Sequence, residues 1–446
     1  MWDLKIDTRR LVEGFSTSVL WDRPNVLWNK ADDWWNDNYV TDSNTAAFLS
    51  ATGIIDPNKQ NYINNLVIAL KNQGIWNKMK AIYPFVSEQR NLLNNTDTFS
   101  GWSLEGGTLT GGFTDPLGGN TAYKYVNNSS QGLWANQTFT EASTTYTQSI
   151  WVKSVSGANV NFILSNGSGP TGQVNLTATG TWQRVSNTSV FDVGGSLYLR
   201  NVLDAAGIYV WHPQVELGNL TDYQVTINAQ EQFAAAYKYN LKDPQDTDAA
   251  FRLKIFGSWT FTPTGAKPNG TNAYMDTTLN IKNVLPNTNN QHISFYSRTI
   301  GGVAGTYYTM GSLDVGTTLT SMMIRWTLSS DIDSNYIYIS DPWTAPTSAP
   351  FTDTSTHGFY LGSRNSTNNV KSYRNGIKRS DYTSTPNAIA PNYNLYISAR
   401  NYGGTANFFD YKQCAFATIG DGLTDAEAVA LYTIVQQFQT ALNRQV

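Results

Sequence analysis

The spacing of apolar positions changes character twice along this chain. Between Asp42 and Phe85 it is helical. Ile63, Leu66, Val67 and Leu70 fall at i, i+3, i+4 and i+7, one face of a helix over 58–72, with Pro57 suited to its first turn and Gly74 to its end. A shorter helix running to Thr52 starts at Asp42 or Ser43 and is stopped by Gly53. Ile75, Met79 and Ile82 continue the apolar pattern towards Tyr83, Pro84 and Phe85.

From 88 to 227 the period falls to two. Tyr146, Gln148, Ile150 and Val152 share one side of a strand, and Thr147, Ser149, Trp151 and Lys153 the other. Leu197 and Leu199 oppose Tyr198 and Arg200 in the same way, and turn clusters at 166–170 and 194–196 separate the runs. A second strand-rich stretch opens near Gly270, with strands at 292–298, 335–339 and 358–362 and an Asn375-Gly376 hairpin. Thr424 and Glu427 form a capping box before a helix over 425–442, whose one face carries Ala428, Leu431, Tyr432, Val435 and Phe438.

Composition agrees with many short strands. The 446 residues include 14 Trp and 25 Tyr, while only 14% are charged, and the net charge of −3 leaves no electrostatic footprint for nucleic acid. Cys414 is the single cysteine, so no internal disulfide framework exists, and its apolar setting predicts a small buried hydrophobe. The longest apolar runs are too short to span a bilayer, and residues 1–7 have no apolar signal region.

Little chemistry of the catalytic kind is legible. His212, His292 and His357 are scattered without metal-ligand spacing, and neither a nucleophile elbow nor a phosphate-binding loop occurs. Asp331, Asp333 and Asp353 are the carboxylates that a glycosidase reading would need to pair. No cofactor and no metal are expected. Sugar binding needs exposed aromatic platforms beside fixed hydrogen-bonding groups, and Trp134, Trp151, Lys153, Tyr198 and Arg200 are the candidates. Trp2, Trp21, Trp28, Trp34 and Trp35 crowd the first 42 residues, a density typical of a protein-docking arm; an arm folded back over its own domain is the other reading.

Residues 91–102 and 208–218, together with 144–149 and 181–185, resemble the carbohydrate-binding-type β-sandwich modules of bacteriophage virion proteins. Trp182 and Trp211 match motif positions expected in the core of such a module. The flanks, 83–86 and 239–244, read together as another recurring phage pattern. The hairpin at 373–378 and the ending 419–428 with its helix are similar to concanavalin/laminin-G-like lectin domains. The resemblance implies a mainly β protein: two antiparallel β-sandwich (jelly-roll) domains, one inserted in the other, plus a small helical N-terminal subdomain and a C-terminal helix. The expected boundaries are 1–42 (docking arm), 43–87 (helical subdomain), 88–227 (inserted sandwich) and 228–446 (lectin-like sandwich).

The function so implied is a non-catalytic phage virion structural protein, a tail or head fibre or spike component that recognises a host-surface glycan. Its partners would be other virion proteins, held through the N-terminal arm, and the host glycan. It would be a homo-oligomer such as a trimer, made in the host cytoplasm and exposed on the particle. A decoration protein without sugar binding and a capsule polysaccharide-degrading enzyme are the alternatives.

Overall fold

The computed structural model describes residues 41–137, 144–167, 170–192, 194–202, 204–224, 226, 229–300, 305–314, 318–328, 331–342, 351–352, 355–367, 369–383 and 389–446. The chain is mainly β and divides into two compact units. Residues 87–235 form one; the described residues before 87 and those from 236 onward form the other. One unit is thus an insertion in the chain of the other.

In the host unit, Asp42 caps the Ser43–Thr52 helix by accepting from the Asn44 N–H, and Gly53 ends it at φ 69°. Asp56 caps the Pro57–Asn72 helix through the Asn58 and Lys59 N–H groups. The apolar pattern beyond Gly74 does not extend this helix. Met79–Tyr83 (β1) is a strand, because its backbone completes the ladder of a sheet strand far along the chain, at Ala417–Gly420. The described residues before 87 belong to the host unit, on whose sheet the helical segment expected at 43–87 packs.

The inserted unit contains Ser103–Phe113 (β2), Ala122–Trp134 (β3), Thr144–Ser154 (β4), Val160–Ser165 (β5), Gln173–Ala178 (β6), Gln183–Phe191 (β7), Tyr198–Arg200 (β8) and Ile208–Leu217 (β9). They run in the order β6-β5-β8-β3-β9-β4-β7, with β2 also on β3. Strand β3 serves two neighbours in turn, β9 through Tyr123–Tyr125 and β8 through Leu133–Trp134, which folds the path around one core. That core includes Tyr125, Leu133, Ile150, Val152, Phe162, Leu164, Leu199 and Val210. Both ends of the unit are tied together: Leu92 donates its N–H to the Val215 carbonyl, and Thr96 to that of Thr226. The unit also runs eight residues beyond the boundary expected at 227. The Ala229–Tyr237 helix starts there, and Gln232 donates to the Asn91 carbonyl at 3.0 Å.

The rest of the host unit comprises Lys254–Phe256 (β10), Trp259–Thr262 (β11), Gly265–Pro268 (β12), Tyr274–Asn280 (β13), Gln291–Ser297 (β14), Met310–Leu313 (β15), Thr318–Leu328 (β16), Asp331–Pro342 (β17), Phe351–Thr352 (β18), Gly358–Arg364 (β19), Asn369–Arg374 (β20), Ile377–Thr383 (β21), Asn394–Ile397 (β22), Arg400–Tyr402 (β23), Thr405–Asn407 (β24) and Cys414–Gly420 (β25). One sheet runs β11-β12-β25-β14-β19-β20-β21, with β1 added on β25; the other runs β10-β13-β22-β15-β16-β17-β18, with β23 and β24 beside β15. Asn375 (φ 49°) and Gly376 (φ 75°) make the two-residue turn between β20 and β21 that the Asn-Gly pair requires.

The first sheet is covered on one side by the helices. Tyr296, Phe359, Leu361 and Phe416 pack there against Ile63, Leu66 and Leu70 and against Leu431, Val435 and Phe438 of the Asp425–Ala441 helix. Thr424 and Glu427 cap that helix reciprocally. Its other side meets the second sheet: a Cβ at Gly362 would lie 2.1 Å from the Ile337 Cγ2, and the Tyr382 hydroxyl donates to the Ile337 carbonyl. Cys414 is fully buried, and burial pushes its thiol well up.

Candidate functional site

The five nominated sugar-binding residues all lie in the inserted unit, in two groups. Trp134 and Tyr198 are direct partners across β3 and β8, and their rings stack at 5.9 Å and 23°. Alternation puts Leu199 in the core and sends Tyr198 and Arg200 outward. The Arg200 guanidinium lies over the Tyr198 ring at 4.4 Å. Gly167 allows this arrangement, because a Cβ there would stand 2.8 Å from the Tyr198 ring.

The Arg200 side chain makes no hydrogen bond among the described residues, and its Nε–H is buried without a partner. Five donors are therefore held in place by a cation–π contact and left unspent. Opposite Arg200 on β5 is Ile163, and opposite Ile163 on β6 is the exposed Asn175. Asn175 was not among the candidates, although the period-two pattern of its strand would have placed it on this side.

Trp151 and Lys153 project from β4, two strands further along the sheet path. Trp151 lies between Trp211 and Arg184, its cross-strand partners, and meets the Trp211 ring edge-on at 6.2 Å. The returning segment covers part of this side. The Trp211, His212 and Tyr223 rings stack successively at 3.2 and 3.6 Å, and Asp97 takes both a 2.8 Å hydrogen bond from Tyr223 and a 3.2 Å contact with His212. The His212 contact, with help from Tyr223, holds the Asp97 carboxyl below its usual range. Arg184 is spent on the Thr221 carbonyl and Ser149. The nominated residues thus do not form one constellation.

Trp182 departs from the core position expected of it. It is half-buried beside Tyr209, at 6.3 Å between rings, outside the core cluster; Tyr209 also contacts Phe113 at 5.2 Å. Its strand begins only at Gln183, so no alternation forces its ring inward. Trp211 is buried, as expected of it, with its ring in the stack and its indole N–H donating to the Thr121 hydroxyl at 2.8 Å.

The histidines have structural partners. His292 is fully buried between the Asp421 carbonyl and the Thr418 hydroxyl, and burial lowers its pKa to about 4. His357 contacts the Ser355 hydroxyl. Among the described residues no group of three or more metal-ligating side chains exists, and no helix is long and apolar enough to cross a membrane. Asp353 lies outside the described residues, as do the side chains of Asp331 and Asp333 and the five tryptophans of the first 40 residues.

No family model and no curated protein matches the chain. Solved structures similar to parts of it include the CBM22-1 and GH10 modules of a Clostridium thermocellum endo-1,4-beta-D-xylanase in complex with xylohexaose (14% identity, TM-score 0.23, 31% of this chain and 30% of that one). The xylan-binding domain of Paenibacillus barcinonensis Xyn10C is similar at 15% identity and TM-score 0.22, over 32% of this chain and 96% of its own. The enzymatically active domain of tailspike protein 4 of bacteriophage CBA120 is similar at 16% identity and TM-score 0.22, over 29% of this chain and 21% of that one. The chain spans under a third of the xylanase and of the tailspike domain. Likenesses this slight carry no functional argument.

Proposed function

We propose that this protein is a non-catalytic glycan-binding component of a bacteriophage particle, and that the inserted unit reads the host surface through the outward side of β3, β8, β5 and β6. The observation that supports this most directly is the row Trp134–Tyr198–Arg200, two stacked rings ending in a guanidinium with no hydrogen bond of its own. Pyranose C–H faces suit the rings, and ring hydroxyls suit the unspent donors and the Asn175 amide. A single shallow site of this kind binds weakly, and copies carried on one particle would multiply it. The particle assignment rests on the phage-module resemblance of residues 91–102 and 208–218, with the tryptophan-rich start as the arm that docks to other virion proteins in a homo-oligomer.

The test is an array of bacterial surface polysaccharides probed with the full chain, alongside Arg200→Gln and Trp134→Ala. At least one glycan class should be retained, with affinity falling about tenfold in either variant, the scale of one good polar or aromatic contact. Retention that neither substitution changes, or no retained glycan at all, overturns the site. Antibody to residues 87–235 should label intact particles; unlabelled particles overturn the location.

A further inference from the structure

The host unit carries an aromatic row of its own, at the edge of its second sheet. Phe256 and Tyr274 are cross-strand partners on β10 and β13, stacked at 4.8 Å and 10°, and Tyr396 of β22 continues the stack at 4.7 Å. Strand β13 buries Met275 and Thr277 and turns Tyr274 and Asp276 outward together. Strand β10 ends the described sheet, so Phe256, 41% exposed, terminates the row with one ring face unstacked.

Asp276 stands directly opposite Tyr396 and diagonal to Asn394. Its carboxylate accepts the Thr278 N–H at 2.7 Å and the Asn394 amide at 3.2 Å, and among the described residues only Lys254 attracts it, from beyond ion-pair distance. Its cross-strand neighbour Lys254 is engaged elsewhere, by Asp248 at 2.5 Å, and Arg252 is held by Asp246 and Asp248. Partial burial holds the Asp276 carboxyl above its usual range, as expected of an anion short of compensation.

We infer that Phe256, Tyr274, Asp276 and Asn394, backed by the buried Tyr396, form a binding surface for an amino sugar with a free amine. The pyranose face would stack on the Phe256 end of the row and the ammonium would pair with Asp276. An aromatic platform supplies the apolar contact, and its ring quadrupoles favour a cation beside them. The carboxylate selects the charged amine over its acetylated form, because acetylation removes the ion pair and leaves a bulky amide against a half-buried anion. This surface shares no residue with the Trp134–Tyr198–Arg200 row.

The test is calorimetric titration of the full chain with a short β-1,4-linked glucosamine oligomer and with its fully N-acetylated counterpart, at about pH 6, where an amine is protonated and most carboxylates are ionised. The glucosamine oligomer should bind saturably and about tenfold or more tightly than the acetylated one, the scale of one charge-assisted contact. Asp276→Asn keeps the side chain's shape and should remove that preference. Phe256→Ala, at an exposed edge position, should weaken binding about as much. Non-saturable heats, equal affinity for the two oligomers, or full affinity in both Asp276→Asn and Phe256→Ala overturns the inference. Sensitivity to Trp134→Ala would move the binding to the inserted unit and overturn it as well.

Discussion

The Asn240 side chain accepts the Ile82 N–H at 2.9 Å, a hydrogen bond between residues on either side of the inserted unit. The same amide donates to the Lys80 and Ala250 carbonyls, and the Leu241 N–H returns to the Ile82 carbonyl at 2.8 Å. Phe85 and Tyr237 meet edge-on at 5.4 Å just beyond. Residues of the host unit thus bond to one another across the junction. Replacing residues 87–235 by a short Gly-Ser linker between Val86 and Ala236 should therefore leave a host unit that folds. A cooperative thermal transition and retained near-ultraviolet dichroism would show it; a molten or insoluble product would count against it.

Arg444 holds the same junction from the other end of the chain. Its guanidinium donates to the Pro84, Phe85 and Ala415 carbonyls and to Gln439, all of them buried. Desolvation lowers its pKa to about 10, so it remains charged at neutral pH. Arg444→Met should cost the host unit about 3 kcal/mol or more, because several buried acceptors lose their donor together. Urea denaturation of the full chain should show the host transition shifted to lower urea, with that of the inserted unit in place.

His292 makes stability depend on pH. Its folded pKa of about 4 lies below the ordinary 6.5, so the unfolded chain takes up a proton first as pH falls. Stability is fully present above about pH 6.5 and declines towards pH 4, by about 3 kcal/mol at most for a shift of this size. A series of melts between pH 7 and 5 checks the sign, and His292→Asn should flatten the slope. Below that range Asp425, held near 2 chiefly by Lys371, adds its own loss as its carboxylate is protonated.

Gly362→Ala tests how closely the two host sheets approach. The added methyl would lie 2.1 Å from the Ile337 Cγ2, with the Ile339 Cδ1 at 3.4 Å. Neither neighbour can leave the interior, so the sheets must part, at a cost of about 2 kcal/mol or more. Ile337→Ala in the same chain should restore part of that loss, and a double-mutant cycle of denaturation midpoints would read the coupling.

Several elements could be read from local pattern alone. The Pro57–Asn72 and Asp425–Ala441 helices announce themselves by spacing and caps, because both signals act within a few residues. The Asn375-Gly376 turn is equally local, since few residue pairs accept two positive φ values. Strand β1 was not readable in this way. Its five residues, Met79–Tyr83, are apolar enough for either state, and the partner that decides between them lies more than 300 positions away at Ala417–Gly420. Trp182 shows the same limit for the site: a motif position names the residue, but the ladder beginning at Gln183 leaves the side of the ring undecided.

Local hydrophobic period, capping residues and turn pairs thus determined which segments are helix or strand, and the run of period-two strands between two flanks that read together as one pattern made the interrupted β architecture legible. What only the folded chain decided was company. Tyr198 and Arg200 were candidates by alternation, but the register of β8 on β3 chose Trp134 as their neighbour and left Trp151 and Lys153 elsewhere. Asp276, Tyr396 and Phe256, drawn from three strands, carry no mark of one another in the sequence. Their proximity follows from long-range strand pairing, whose free energy is spread over a whole sheet and so cannot be read from any one stretch of it.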